Sequence, residues 1–234
     1  MMLRLGLVIP SSNTTMEYEF WRLASGWATV HAARMRLRRV TPSELEAMER
    51  QVLEAASRLA DADVDVIGYG CTTGSLFRGV GHDREIVSKI EEETGIKAVA
   101  TAGAVVDALR ALNVNRVCVA TPYIEELNKL EKEFLEGNGI KVVEIAGLGV
   151  VENTEIGRLP PTTSYELARK VYRPEADGIF ISCTNFRTIE IIEGLERAVK
   201  KPVVSSNTAT FWAMVKKAGV KRGIAGCGRL LQLL

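Results

Sequence analysis

The chain has 234 residues, of which 47% are hydrophobic and 25% are charged, and its 30 lysines and arginines nearly balance its 29 aspartates and glutamates. This length supports one large α/β domain or two small lobes, with a core that needs no disulfides. The near-zero net charge provides no field to attract nucleic acid or an anionic membrane, so we expect neither as a partner.

Targeting and cysteine usage point to a reducing compartment. The N-terminal run MMLRLGLVIP is too short for a signal peptide, and no stretch is long enough to cross a bilayer. The four cysteines, Cys71, Cys118, Cys183 and Cys227, are widely scattered and contain no C-x-x-C pair, which disfavours a zinc site and a disulfide framework. We therefore predict a cytoplasmic protein with free thiols and no metal site.

Short β-rich runs alternate with amphipathic stretches of helix length along the whole chain, which is the pattern of βα units around parallel sheets. The predicted strands cover residues 3–9, 28–35, 64–70, 97–101, 116–121, 141–146, 177–182, 202–206 and 222–226. Predicted helices between them include 42–60, with Pro42 in its first turn, and 123–139, ended by Gly137 and Gly139. This order predicts an α/β fold of doubly wound parallel sheets.

The chain contains an internal repeat. Cys71 and Cys183 are 112 positions apart, and the strand that ends at Pro10 matches the strand that ends at Pro122 with the same offset. The stretch AVATAGAVVDALRALNVNRV also resembles PVVSSNTATFWAMVKKAGVKRG. We therefore predict two pseudo-symmetric lobes, the first formed by residues 1–98 and 209–234 and the second by residues 99–208. In this prediction the last helix and the strand 222–226 return to complete the first lobe.

Two of the cysteines occupy equivalent positions in the repeat. Cys71 and Cys183 each follow an apolar strand directly and precede threonine, in YGCTTG and ISCTNF. Ligands of parallel sheets bind beyond the carboxyl ends of the strands, so we expect the two thiols to face each other across a cleft between the lobes. A helix N-terminus lowers the pKa of a nearby thiol, so one of the two cysteines can act as a nucleophile or base at neutral pH. The other, left protonated, can act as the acid. Cys118 lies inside the strand VCVAT and is interpreted as an inert buried thiol, and the role of Cys227 stays open.

The loops at the same sheet edges carry neutral donors. PSSNTTME and TPYIEE contain hydroxyl and amide groups without lysine or arginine, which suits a carboxylate bound by uncharged donors and backbone N–H groups. Ser11, Asn13, Tyr123 and Asn153 are the candidate residues. Ser11, Asn13 and Asn153 fit helix capping equally well, and Tyr123 fits simple packing.

Other chemistries find little support. Only His31 and His82 are present, neither beside a nucleophile in a recognisable pattern, and GYGCTTG does not give the dinucleotide-binding pattern G-x-G-x-x-G. The helix with Phe211, Trp212 and Met214 fits either core or the face of a homo-oligomer, a dimer or larger, which we expect this chain to form.

Seven segments together resemble the aspartate/glutamate racemase superfamily, in particular its maleate cis-trans isomerase branch. They are GLVIPSSNTTMEYE, HAARMRLRRVTPSELEAM, YGCTTGS, ALRALNVNRVCVATPYIEELN, VVENTEIGRLP, ISCT and GRLL. The resemblance implies an enzyme without cofactor that acts on a small dicarboxylate. In it the Cys71 thiolate adds to the double bond of maleate, the saturated adduct rotates, and elimination releases fumarate while Cys183 handles the proton.

The same resemblance implies the carboxylate-binding residues. Asn13, Tyr123 and Asn153 match the positions that bind carboxylate in the family, and Thr72, Thr73 and Thr184 extend the anion site. Asn185, next to Thr184, joins the substrate-binding candidates.

Four alternatives stay open. The maleate isomerase branch has apolar residues after each cysteine, whereas this chain has polar ones, which is compatible with another substrate. A two-cysteine racemase of amino acids or hydantoins would use the same thiols, but this chain lacks the Asp-Ser of the first loop and the histidine after the second C-T. An arylmalonate-type decarboxylase would keep only the second cysteine. A carboxylate-binding protein without activity would not need two thiols at strand ends.

Overall fold

The computed structural model describes residues 2–234, which form eight strands and eleven α-helices. The strands are β1 (Leu3–Pro10), β2 (Ala28–Met35), β3 (Val66–Tyr69), β4 (Ala98–Ala100), β5 (Arg116–Thr121), β6 (Lys141–Gly147), β7 (Gly178–Ile181) and β8 (Val203–Ser205). The helices are α1 (Met16–Ala24), α2 (Pro42–Glu49), α3 (Val52–Ala60), α4 (Thr72–Leu76), α5 (His82–Thr94), α6 (Thr101–Ala111), α7 (Glu125–Gly137), α8 (Asn153–Arg158), α9 (Pro161–Val171), α10 (Ile192–Val199) and α11 (Ser206–Lys217). A short 3-10 helix, Leu230–Leu233, lies near the C-terminus.

The strands form two parallel sheets of the same topology. Their orders are β2-β1-β3-β4 and β6-β5-β7-β8, and every pairing is parallel. The central strands are almost wholly buried because helices cover both faces, as expected for continuous apolar runs in parallel sheets. The predicted α/β class with doubly wound parallel sheets is therefore confirmed, and the matching orders agree with the sequence repeat.

Helices α6 and α11 pack against each other where the two halves of the chain meet. One apolar cluster joins Leu7 of β1, Val119 of β5, Phe180 of β7 and Phe211 of α11. Phe211, Trp212 and Met214 are buried there, so these three side chains belong to the core of the chain. Because α11 also contacts β3, β4 and α1, we keep the division into residues 1–98 with 209–234 and residues 99–208 as a proposal.

Two predicted elements were wrong. The predicted helix 42–60 is broken into α2 and α3, and at the break the Gln51 side chain accepts a hydrogen bond from the backbone N–H of Arg36 (2.9 Å). Residues 222–226, all within the described range, form no strand. The chain there folds back so that Ile224 N–H bonds the Leu231 carbonyl (2.9 Å), and Gly226 (φ +83°) adopts a left-handed conformation that ends any extended run.

Candidate active site

Cys71 lies between the end of β3 and the start of α4. It has an extended backbone (φ −142°, ψ 112°) and caps the helix with its own side chain, because Sγ accepts the Gly74 N–H at 3.3 Å. The Thr73 hydroxyl oxygen lies 3.8 Å from the same sulfur. The sequence thus places this thiol at a strand end with two polar neighbours in the first helical turn.

Cys183 lies at the equivalent position after β7 but has a different backbone. Its φ is +94°, a conformation that residues with a Cβ atom rarely adopt. The conformation is held by hydrogen bonds from Cys183 N–H to the Ser206 hydroxyl (3.0 Å) and from Phe186 N–H to the Cys183 carbonyl (3.2 Å). The Asn185 N–H points at Cys183 Sγ (3.3 Å). Strain of this kind concentrates at functional sites, where the surrounding structure enforces it.

Both thiols line one small cavity, whose volume of about 10 Å³ leaves room for roughly one water molecule in this closed form. The lining residues are Pro10, Leu37, Val40, Cys71, Thr72, Thr73, Tyr123, Asn153, Cys183 and Thr184. No lysine or arginine is among these lining residues, all of which the structure describes. The cavity is therefore lined by two thiols, the Tyr123 hydroxyl, four further side chains with hydroxyl or amide groups, and an apolar wall. This lining suits a small anion bound by neutral donors.

Two segments close the cavity, and we call them together the clasp: residues 36–40 and residues 150–153. They pair in an antiparallel bridge between Arg39 and Glu152, with Val40 N–H bonded to the Val151 carbonyl at 2.8 Å. The Cys71 and Cys183 residues are only 4% and 6% exposed beneath it. In this structure the clasp therefore leaves both thiols almost inaccessible to solvent.

A hydroxyl network connects the two cysteine loops. The Ser206 hydroxyl oxygen accepts hydrogen bonds from the Thr72 hydroxyl (2.8 Å) and from Cys183 N–H (3.0 Å). The Thr184 hydroxyl donates to the Gly70 carbonyl (3.1 Å), in the residue before Cys71. Each loop is thus fixed relative to the other, which preorganises the pair of thiols.

Three of the ten predicted site residues lie beside the cavity and do not line it. The Asn13 amide oxygen accepts the N–H groups of Thr15 and Met16 at the start of α1, and its amide nitrogen donates to the Thr184 hydroxyl (3.0 Å). The Asn185 side chain bonds the backbone of Thr14 and Asn153, and the exposed Ser11 bonds the backbone of Leu37. The structure brings the other seven together around one cavity.

Burial dominates the ionisation of both thiols, contrary to the expectation that a helix N-terminus would lower their pKa. It raises the pKa of Cys71 to about 11 against the opposing effect of the Gly74 N–H and the Thr73 hydroxyl. It raises the pKa of Cys183 to about 12, against the Tyr123 hydroxyl and the Asn185 N–H. With the clasp closed both groups are therefore thiols at neutral pH.

Sequence reasoning missed three residues around the site: Tyr69, Ser206 and Glu131. Ser206 follows β8, whose carboxyl end lies at the same sheet edge as that of β7, so strand order provided a signal for it. Tyr69 lies two residues before Cys71, at the end of β3. The repeat offset of 112 relates Glu131 on α7 to Glu19 on α1, and both are fully buried.

Glu131 lies behind Cys183 and holds the residue before it. Its Oε1 accepts the Ser182 hydroxyl at 2.5 Å, and within residues 2–234 its Oε2 has no hydrogen-bond partner. Burial raises the pKa of Glu131 to about 8, so the folded protein holds this carboxyl neutral at pH 7. Burial also raises the pKa of Glu19 to about 7.

We expect Glu131→Gln to remove part of the pH dependence of stability. Between the ordinary pKa of 4.5 and about 8, the folded state binds more protons than the unfolded state, so the unfolding free energy of the parent protein falls as pH rises. Glutamine mimics the neutral acid and does not titrate. The unfolding free energy of the variant, relative to that of the parent, should therefore rise by at most about 1.4 kcal/mol per pH unit across that window. Urea unfolding at several pH values measures this, and parallel curves for the two proteins would contradict it.

Two classes of site or segment are absent from the described residues. No group of three or more His, Cys, Asp or Glu side chains in residues 2–234 is arranged to hold a metal ion. None of the helices in that range is both long enough and apolar enough to cross a membrane. All four cysteines are free thiols.

The chain matches known proteins along nearly its whole length. The family model described as arylmalonate decarboxylase (Amdase) matches residues 5–231. The maleate isomerase of Nocardia farcinica is 34% identical over 239 residues, covering 98% of this chain and 95% of the relative. The arylmalonate decarboxylase of Bordetella bronchiseptica is 30% identical over 229 residues, covering 97% and 95%.

Solved structures show the same similarity. A cysteine-to-serine mutant of the Nocardia farcinica maleate cis-trans isomerase, with a covalently bound succinylcysteine intermediate, has a TM-score of 0.96 at 31% identity and 99% coverage of both chains. The maleate isomerase Iso from Pseudomonas putida S16 has a TM-score of 0.95 at 30% identity, again covering 99% of both chains.

Proposed function

Because the chain belongs to the arylmalonate decarboxylase (Amdase) family, we propose that it is an isomerase of a small dicarboxylate, with maleate converted to fumarate. The observation that carries the proposal is the pair of thiols, Cys71 and Cys183, that line one cavity without a cationic side chain among the described residues around it. The maleate isomerase similarity at 34% identity and the succinylcysteine intermediate of the Nocardia farcinica relative support the same chemistry.

The proposed reaction begins with addition to the double bond. The Cys71 thiol first gives up its proton to solvent, and the resulting thiolate forms a C–S bond to one alkene carbon. The π electron pair moves to the other carbon, which takes the proton of the Cys183 thiol. The product is a succinyl thioether, whose former double bond is single and rotates. The Cys183 thiolate then removes a proton, the electron pair restores the double bond, and the C–S bond to Cys71 breaks to release fumarate.

Neutral donors hold the two carboxylates in this proposal. Thr72, Thr73, Tyr123, Asn153 and Thr184 line the cavity and supply hydroxyl and amide groups. We propose that Asn13 and Asn185, whose side chains bond neighbouring loops, act by holding those loops in place, and that Ser11 fixes the clasp. The apolar Pro10, Leu37 and Val40 exclude water around the reacting carbons, which strengthens each polar contact.

Proton NMR with maleate in D₂O under reducing conditions tests the proposal. We expect the maleate singlet to decrease and the fumarate singlet to grow, and deuterium in either compound would show that the proton handled by Cys183 exchanges with solvent. Maleate that stays unchanged, with the protein shown to be folded, would contradict the assignment.

Decarboxylation is the second candidate, because the family model and the Bordetella bronchiseptica relative carry that name. Loss of CO₂ from a malonate leaves a carbanion that needs one proton donor, whereas addition followed by elimination uses both thiols. The chain has both, which favours isomerisation. Substituted malonates, and aspartate or hydantoins for a racemase, are tested in the same NMR assay.

We further propose that the protein acts in the cytoplasm as a homo-oligomer and without a cofactor. Four free thiols suit a reducing compartment. Trp21 on α1 is 48% exposed and Tyr18, one turn away, is 42% exposed, and exposed aromatic residues are enriched at protein interfaces. Light scattering of the purified protein measures the oligomeric state.

A further inference from the structure

Tyr69 is the last residue of β3 and is fully buried. Its phenolic oxygen has no hydrogen-bond partner among the described residues. Most buried hydroxyl groups in proteins are paired, because an unpaired one carries the full penalty of losing water. A buried, unpaired hydroxyl at this position therefore needs a physical explanation.

The Tyr69 hydroxyl and the Cys71 sulfur border the same small space. A Cβ atom added to Gly74 would lie 2.6 Å from the Tyr69 oxygen and 3.0 Å from Cys71 Sγ, so only glycine leaves room for both. The two atoms are thus neighbours in the first turn of α4. A side chain at residue 74 would separate them.

Cys71 Sγ has few donors for a charged sulfur. The Gly74 N–H lies 3.3 Å away and the Thr73 hydroxyl oxygen 3.8 Å away, and both approach from α4. The pKa of Cys71 is nevertheless raised, because burial outweighs them. A thiolate in this cavity needs a further donor from another element.

The charged and titratable groups around this pair do not supply that donor. The charge of Glu49 on α2 raises the pKa of Tyr69, and Cys183 lies across the cavity from Cys71. Oε2 of Glu49 lies 3.1 Å from Arg78 Nε and 3.6 Å from His82 Nε2, and as a carboxylate oxygen it has no proton to donate. Burial, then the charges of Cys71 and Glu49, raise the pKa of Tyr69 well above its ordinary value, so its hydroxyl keeps its proton and remains a donor.

We propose that the Tyr69 hydroxyl donates a hydrogen bond to the Cys71 sulfur when that sulfur becomes a thiolate. The inference rests on the proposed role of Cys71 as nucleophile. The arrangement parallels the second thiol, where the Tyr123 hydroxyl lowers the pKa of Cys183 against the larger effect of burial. Each thiol then has one tyrosine hydroxyl beside it. The Tyr69 hydroxyl is unpaired in this structure because the Cys71 sulfur still carries its proton.

The test compares alkylation of Cys71 by iodoacetamide as a function of pH in the parent protein, in Tyr69→Phe and in the control Tyr165→Phe. The thiolate forms a C–S bond, iodide leaves, and the thiol proton passes to the buffer. Mass spectrometry resolves the Cys71 peptide from the other three thiols. We expect the midpoint pH to rise by about one unit in Tyr69→Phe, which is about tenfold less thiolate at a given pH, and to stay unchanged in Tyr165→Phe.

Thermal unfolding separates this role from a structural one. Tyr69→Phe removes a hydroxyl that is unpaired in the resting protein, so its melting temperature should equal or exceed that of the parent. An alkylation midpoint equal to that of the parent would overturn the proposal, whatever the melting temperature. Because alkylation needs no substrate, this result stays distinct from a failure of the protein to isomerise maleate.

Discussion

Replacing Cys71 by alanine is expected to abolish conversion of maleate to fumarate, with a loss of at least about a thousandfold in kcat. The cis alkene cannot rotate until its double bond becomes single, and Cys71 is the residue proposed to add to it. Cys183 cannot replace it, because its strained loop and its contacts with Asn185 and Ser206 fix its sulfur at the other side of the pair. The NMR assay of the purified variant measures the effect.

Cys118→Ala is the matched control for Cys71→Ala. Cys118 is also a buried cysteine, but it lies inside β5 and does not line the cavity. The substitution removes one buried sulfur and should cost about 1 kcal/mol of stability, with kcat unchanged. Full activity in Cys71→Ala, or equal losses in the two variants, would show that the reaction does not depend on addition by Cys71.

The sequence predicted the sheets because the strands are short apolar runs that both packing and propensity favour. Parallel strands bury both faces, so β1, β5 and β7 read as strands without tertiary information. The common offset of 112 then related Cys71 to Cys183, and the rule for ligand position at strand ends placed both at one cavity. These features depend on local composition and on the repeat.

The clasp could not be predicted, because it depends on pairing between residues more than 100 positions apart. Arg39 and Glu152 form a single bridge, and neither segment has the alternation of a strand. Similarly, nothing in ISCTNF indicates a φ of +94° at Cys183, since that conformation is imposed by the Ser206 hydroxyl from α11. Interactions between distant segments determine both features.

The ionisation of the thiols shows the same limit in energetic terms. A cysteine before a helix suggests a lowered pKa, and the Gly74 N–H does act in that direction on Cys71. Burial is a property of the whole fold, and here its effect is larger and opposite in sign. The sequence therefore predicted which thiols lie at the cavity but not their resting protonation state.

Replacing Cys183 by serine is expected to trap the reaction after addition. A serine hydroxyl is a much weaker acid than a thiol and cannot act as the base that removes the proton for elimination. Cys71 can still add to maleate, with solvent supplying the proton as the clasp opens. We expect turnover to fall by about a hundredfold to ten-thousandfold, and intact-protein mass spectrometry to show one substrate mass added per chain.

Peptide mapping should place that added mass on Cys71, and the double variant Cys71→Ala with Cys183→Ser should show none. Cys183→Gly tests whether the backbone contributes, because glycine adopts a φ of +94° without strain. If the thiol acts chemically, Cys183→Gly should also accumulate the adduct, and its melting temperature should equal or exceed that of Cys183→Ser because glycine relieves the backbone strain. An adduct on Cys183 in the parent protein would reverse the roles assigned to the two thiols, and normal turnover in Cys183→Ser would show that the Cys183 thiol is not the acid and base of the reaction.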